Sequence, residues 1–133
     1  LEESTPLLHL ERLRLAADEP LAVDRVWLPA AATRPLLRAD FTRTGLYAEL
    51  AARCGVRPVF GTERFRAVLP SPAEAGLLGI GPTVAALTID RLGHTADGPF
   101  EWRRTLVRGD RFAVTATLTA RGYRLEADPR GTG

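Results

Sequence analysis

From residue 7 to residue 15 apolar and polar positions alternate. Leu13 and Leu15 fall on one face, and Leu8, Leu10, Arg12 and Arg14 on the other. A period of two is that of a β-strand. Ala16-Ala17-Asp18-Glu19-Pro20 interrupts it with turn formers, and residues 21–28 resume it, so the two segments predict an antiparallel hairpin. Residues 31–41 show no period and are expected to hold one short helical turn. At residue 44 the period changes. Leu46, Tyr47, Leu50, Ala51 and Cys54 form one stripe at helical spacing, which predicts a helix capped by Thr44 and stopped by Gly55. Residues 57–69 read as a long strand. Ser71-Pro72-Ala73-Glu74 combines a capping box with proline at the first helical position, predicting a two-turn helix that ends at Gly79. Three more strands are expected, at residues 83–95, 100–108 and 112–125, joined by turns at Asp97-Gly98 and Arg108-Gly109-Asp110-Arg111. Adjacent strands joined by tight turns imply an α+β domain, a mainly antiparallel β-sheet with short helices on one side. The long last strand is a candidate for covering or pairing a sheet edge.

Composition narrows the classes. A chain of 133 residues suits a single domain, read as residues 1–127 with a flexible tail at 128–133. At 45% apolar and 26% charged it has the balance of a soluble globule and needs neither disulfide nor metal to fold. All 18 basic residues are arginine, and alanine, glycine and proline are plentiful, which reads as a GC-rich genome. The net charge is only +2, and no basic block is longer than Arg103-Arg104, so direct nucleic-acid binding by this segment is not indicated. A single cysteine excludes an internal disulfide framework and a cysteine-rich zinc cluster. No apolar run approaches the ~18 residues of a membrane span, and the opening residues lack a signal-peptide pattern. A cytoplasmic location is expected.

Little in the chain suggests catalysis. Ser4 and Ser71 sit near the start and at a helix cap. Cys54 lies on the apolar stripe, the place of a packed thiol. His9 and His94 are single histidines on strands, without the spacing of a metal-binding pair. The polar residues at strand positions are more informative. Arg12 and Arg14 point to the same face, where two guanidinium groups suit a phosphate or a carboxylate. Asp24 alternates with Ala22, Val26 and Leu28 on an apolar face, so its carboxylate requires a partner. Glu101 shares a face with Arg103 and Thr105. Two readings fit this pattern: cross-strand salt bridges on a solvated face, or a ligand pocket.

An ordered set of fragments adds to this. Glu11-Arg12-Leu13-Arg14-Leu15-Ala16 with residues 19–29, then Leu46-Tyr47-Ala48-Glu49-Leu50, then residues 69–80, then Asp97-Gly98-Pro99-Phe100-Glu101-Trp102 and Arg108-Gly109-Asp110-Arg111, resemble a UTRA domain. This is the effector-binding half of transcription regulators of the HutC subfamily of the GntR family. The resemblance spans residues 11–112. It implies a chorismate-lyase-like α+β fold, no catalytic activity, no cofactor and no metal. It also implies a cytoplasmic, homodimeric repressor whose small anionic effector, a sugar phosphate or a small acid, modulates DNA binding by an N-terminal winged helix-turn-helix outside this chain. The family's first strand would then lie upstream of Leu1.

Residue by residue, the resemblance implies an effector site at Arg12, Arg14, Asp24, Gly45, Tyr47, Glu101 and Val107. The arginines would take the anionic end of the ligand, helped by the N-terminus of the helix at Thr44. Asp24 and Glu101 would accept from its hydroxyl or amino groups. Gly45 and Val107 stand where sugar-phosphate binders of the family carry hydroxyl side chains, which suits an acid with less polar bulk equally well. The stripe position of Tyr47 allows it to face either pocket or core. A lyase of the same fold acting on a small carboxylate is the enzymatic alternative. It lacks a general base with an evident orienting partner.

Overall fold

The computed structural model describes residues 6–39 and 45–129 of the chain. Its element order is close to the expected one. Strand β1 spans Leu7–Ala16 and β2 Glu19–Pro29. Between them Ala17 and Asp18 both take positive φ, at 50° and 65°, the backbone twist that a two-residue hairpin requires. Helix α1 is one turn, Ala30–Thr33, and runs into a 3-10 segment at Arg34–Arg38. Helix α2 covers Leu46–Glu49 and continues as a π-helical turn through Leu50–Cys54. Gly55 closes it in the left-handed conformation at φ 66°, and the Val56 N–H donates to the Leu50 carbonyl at 3.1 Å, a Schellman-type ending. Gly45 occupies the N-cap position; Thr44, the expected cap, lies outside the described residues.

Strand β3 is Phe60–Val68, shorter than expected at its start. Pro58 has no N–H to give a ladder, and Val59 makes a single bond to the His94 carbonyl at 2.8 Å before the strand begins. Helix α3, Pro72–Leu78, has the predicted capping box in full. The Ser71 hydroxyl accepts from the Glu74 N–H, the Glu74 carboxylate accepts from the Ser71 N–H, and Gly79 is left-handed at the other end. Strand β4 is Ala86–Thr95 and β5 is Gly98–Arg108. A 3-10 turn at Gly109–Arg111 follows.

The segment expected as one last strand is two. Strand β6 is Phe112–Thr119 and β7 is Gly122–Pro129, joined by a turn after which Gly122 takes φ 116°. Apolar and polar residues alternate on both sides of Arg121-Gly122, threonines before it and charged residues after it, so the period hides the turn. Strand β7 runs through Asp128 and Pro129, residues the sequence assigns to the tail. Residues 130–133 of that tail lie outside the described residues.

The first five strands form one sheet in the order β1-β2-β5-β4-β3, and β6 pairs with β7 in a second, two-stranded antiparallel sheet. The fold is therefore a mostly antiparallel sheet with a few short helices, as the sequence predicts. No helix among the described residues is long and apolar enough to cross a membrane.

The chain divides into two compact units. One comprises Leu1–Glu11, Arg25–Arg64 and Asp90–Arg104. Its core is Val26, Leu28, Leu36, Leu46 and Leu50, with Leu8, Leu10, Cys54, Val56 and Phe100 packed against it. Burial pushes the Cys54 thiol above its usual range, the opposite of an activated nucleophile. His9 stacks on Trp27, and His94 on Phe60, so each histidine of the chain has an aromatic neighbour.

The other unit comprises Arg12–Asp24, Phe65–Ile89 and Thr105–Gly133. It has two apolar clusters. Leu21, Ala22, Ile89 and Val107 form one, with Phe65 and Phe112 against it; Val23, Leu78, Ala86 and Leu106 form the other, with Val68 and Ile80. Through Leu78, α3 supplies the second cluster, which explains why a seven-residue helix carries so complete a cap.

Candidate functional site

Two polar clusters, one in each unit, contain most of the residues singled out above. In the unit containing residues 12–24, Asp24 is wholly buried on β2, as its place between Ala22 and Val26 dictates. A buried carboxylate must be paired. Arg12 Nη2 reaches Asp24 Oδ2 at 3.2 Å, Arg14 Nε reaches the same oxygen at 2.9 Å, and the Thr105 hydroxyl donates to Oδ1 at 2.7 Å. The period-two spacing of Arg12 and Arg14 is what brings both guanidinium groups to one carboxylate oxygen. Their surroundings differ. The Arg12 side chain is 16% exposed, whereas that of Arg14 is 45% exposed. Arg14 engages Asp24 through Nε.

The second cluster, in the unit containing residues 25–64, is built around Glu101 on β5, with a side chain only 2% exposed. Its Oε1 accepts from the Tyr47 hydroxyl at 2.6 Å, and its Oε2 accepts from Arg103 Nε at 3.0 Å and Nη2 at 2.6 Å. The Tyr47 oxygen in turn accepts from Arg91 Nη1 at 2.8 Å, and Arg91 Nε donates to Glu63 at 2.8 Å. The guanidinium groups of Arg91 and Arg103 also lie 5.6 and 5.2 Å from the centroid of the Tyr47 ring, within cation–π range. Tyr47 is therefore clamped by three residues: the acceptor Glu101, the cation Arg103, and Arg91, which is both cation and donor. Gly93 completes the arrangement: a Cβ there would stand 2.9 Å from Glu101 Oε1, so only glycine leaves the carboxylate its position.

Tyr47, Phe60, Glu63, Arg91 and Gly93 line a cavity of about 340 Å³. Tyr47 faces this cavity, which answers the question its stripe position leaves open. The α2 helix presents it from a single α-turn and a π-turn. The long helix expected to aim a dipole end at an anion is thus reduced to a short support for the tyrosine.

Burial raises the Tyr47 pKa above its ordinary value of 10.0, and the hydrogen bond to Glu101 and its charge act in the same direction, opposed by Arg91. The folded state thus favours the neutral phenol. The resulting stabilisation is present below pH 10 and is lost as pH rises through the raised value. Absorbance at 295 nm of a Tyr123→Phe variant, which leaves one tyrosine, should show a midpoint above 10. Glu101→Gln should move that midpoint down. A midpoint at or below 10 would contradict the Tyr47–Glu101 bond.

Gly45 sits two residues before Tyr47 at φ −88°, ψ 166°, with nothing within 4 Å of where a Cβ would stand. Val107 is fully buried among Leu21, Ala22 and Ile89, a packing position. Glu63, Arg91 and Gly93 are the members that the sequence reading passed over. The signal for Arg91 was present: it follows buried Ile89 by two on β4 and shares its face. Glu63 lies on a mostly exposed strand and gave none. Among the described residues no group of three His, Cys, Asp or Glu side chains comes together to hold a metal ion.

Comparison with known proteins places these clusters in a family. The UTRA domain model matches residues 1–113. The chain is 31% identical over 123 residues to the HTH-type transcriptional repressor PhnF of Mycolicibacterium smegmatis, covering 91% of this chain and 50% of that protein. It spans only about half the length of that relative. The crystal structure of the effector domain of PhnF from Mycobacterium smegmatis superposes with a TM-score of 0.82 at 29% identity, covering 90% of this chain and 74% of that one. The ligand-binding domain of a GntR-family transcriptional regulator from Bordetella bronchiseptica gives 0.73 at 29% identity, over 95% and 73% of the two chains. These relatives are transcription regulators rather than enzymes, and the chain, matched over most of its length, belongs to the UTRA domain family of GntR-type regulators.

Proposed function

We propose that this domain senses a small anionic metabolite, a sugar phosphate or a small acid, on behalf of a cytoplasmic, homodimeric repressor. The observation that carries the proposal is the convergence of Arg12 and Arg14 on the buried carboxylate of Asp24, with Arg14 half-exposed. Asp24 fixes the two guanidinium groups in advance, so an anion reaching Arg14 gains charge-assisted hydrogen bonds without paying to order the arginine. The Tyr47 cavity, walled by Arg91 and Glu63, offers donors and acceptors to hydroxyl, amino or carboxylate groups. Binding acts by population shift: the effector favours one arrangement of the domain, and that arrangement changes how an attached winged helix-turn-helix reads its operator. A palindromic operator requires two copies.

Thermal shift against a panel of sugar phosphates and small acids tests the proposal. A ligand at one hundred times its Kd should stabilise the chain by about 2.7 kcal/mol, and the shift should grow with concentration. Arg14→Ala should abolish the shift yet cost the apo domain less than about 1 kcal/mol, because Arg14 is half-exposed and Arg12 still pairs the carboxylate. A shift retained in Arg14→Ala would remove the anion site from this position.

A further inference from the structure

Both tryptophans of the chain line one cavity, and neither polar cluster described above contains them. The cavity is bordered by Leu7 on β1, Trp27 on β2, Asp90 on β4, and Trp102 and Arg104 on β5. All five belong to the unit that contains residues 25–64. Side-chain alternation places the cavity on the sheet face away from Tyr47. Val26 and Leu28 pack with Leu46 and Leu50 of the α2 segment, so Trp27 points the other way. Glu101 and Arg103 hold Tyr47, so Trp102 and Arg104 point the other way as well. Arg91 and Arg103 also border the cavity. Their side chains meet Tyr47 on the opposite face, and what they offer here is main chain.

The volume is about 550 Å³, within the range of pockets that hold small molecules. Its walls have a definite chemistry. His9 stacks on Trp27 with ring centroids 4.9 Å apart and planes 8° from parallel, so one indole is backed by a second ring. Leu7, Trp27 and Trp102 supply apolar surface across the adjacent strands β1, β2 and β5. Neighbouring strands lie about 4.8 Å apart, so this surface is about 10 Å across, room for two fused rings. Beyond it, Arg104 Nε meets Asp90 Oδ1 at 2.7 Å, with side chains 54% and 31% exposed. A pair so exposed is screened and contributes little, so a second carboxylate exchanges readily for Asp90.

We propose that this cavity is a second ligand site of the domain, for an aromatic carboxylate, with its ring on the indoles of Trp27 and Trp102 and its acid on Arg104. Aromatic rings stack offset on indole, and a guanidinium takes a carboxylate through two parallel N–H bonds. A saturated acid gains only the second contact and a neutral arene only the first. An aromatic ammonium ion is set against Arg104. The inference does not rest on the anion site at Arg14, which belongs to the other unit.

Nitrogen-15 NMR tests it, because the chain has two indole N–H groups and both tryptophans line this cavity. 2-Naphthoate should shift both signals saturably. 2-Naphthol, the ring without the charge, and propanoate, the charge without the ring, should each bind at least about tenfold more weakly. Arg104→Gln should weaken 2-naphthoate about tenfold and leave 2-naphthol unchanged. Asp90→Asn should tighten 2-naphthoate, because it removes the competing carboxylate. Arg14→Ala should bind 2-naphthoate as the wild type does. Indole signals that stay in place at millimolar 2-naphthoate overturn the site. An equal response to 2-naphthoate and 2-naphthol, or an Arg104→Gln variant that binds like the wild type, overturns its preference for an acid. Loss of the response in Arg14→Ala puts the ligand at the other site and overturns this one, while leaving the effector reading in place.

Discussion

Asp24→Ala should cost about 3–5 kcal/mol, the penalty for removing one partner from a buried ion pair. The carboxylate is completely buried and accepts from Arg12, Arg14 and Thr105. Its removal takes a carboxylate from a guanidinium that is only 16% exposed and leaves the Thr105 hydroxyl without this acceptor. Arg14, nearly half-exposed, recovers its hydration and adds little. Against a total domain stability of about 5–15 kcal/mol, the loss should lower Tm by on the order of 10–20 °C. Inorganic phosphate should restore part of that loss, since an anion at Arg14 supplies the missing negative charge. The contrast with Arg14→Ala is the diagnostic part: one substitution removes stability, the other removes ligand response. An Asp24→Ala domain melting within a few degrees of the wild type would mean that the arginines are solvated and that the carboxylate does not organise them.

The same alternation that made Asp24 conspicuous made most of this cluster legible in advance. A carboxylate at an apolar strand position demands cations, and Arg12 and Arg14 share one face of the neighbouring strand, so their meeting follows from period and topology alone. Thr105 and Arg103 were placed on the Glu101 face for the same reason. What local pattern does not encode is which side chains meet across distant parts of the chain. Tyr47 and Glu101 are 54 residues apart, and no spacing rule joins them; their roles came from the family resemblance. Arg91 and Glu63, 28 residues apart, had neither source. The split of the last strand was hidden for a different reason. Polar and apolar residues keep a period of two on both sides of Gly122, threonines before it and charged residues after it, so the turn is marked only by a single glycine at positive φ. Val107, singled out by the resemblance, has its own explanation in the core it fills.

Glu101→Ala should destabilise the domain by about 3–5 kcal/mol for the reason that applies to Asp24: Arg103, 12% exposed, loses the carboxylate that holds two of its nitrogens. Here, however, a neighbouring glycine separates the charge from the geometry. In the wild type, Gly93→Ala sets a Cβ 2.9 Å from Glu101 Oε1 and 3.4 Å from its Cβ. The carboxylate cannot swing aside without breaking the 2.6 Å bonds to Tyr47 and Arg103, so the added methyl should cost about 1–3 kcal/mol. In the Glu101→Ala background the carboxylate is gone and only the 3.4 Å contact to the Cβ of residue 101 remains, while an alanine within a strand is preferred to glycine by roughly 0.5–1 kcal/mol. Gly93→Ala should then be neutral or slightly stabilising. The double-mutant cycle measured by urea unfolding should therefore show a coupling of at least about 1 kcal/mol, with the double variant more stable than the sum of the singles. Additive behaviour would mean that Gly93 is not what gives Glu101 its place. The Tyr47 clamp would then have to be held by Arg91 and Arg103 without a carboxylate fixed against the strand.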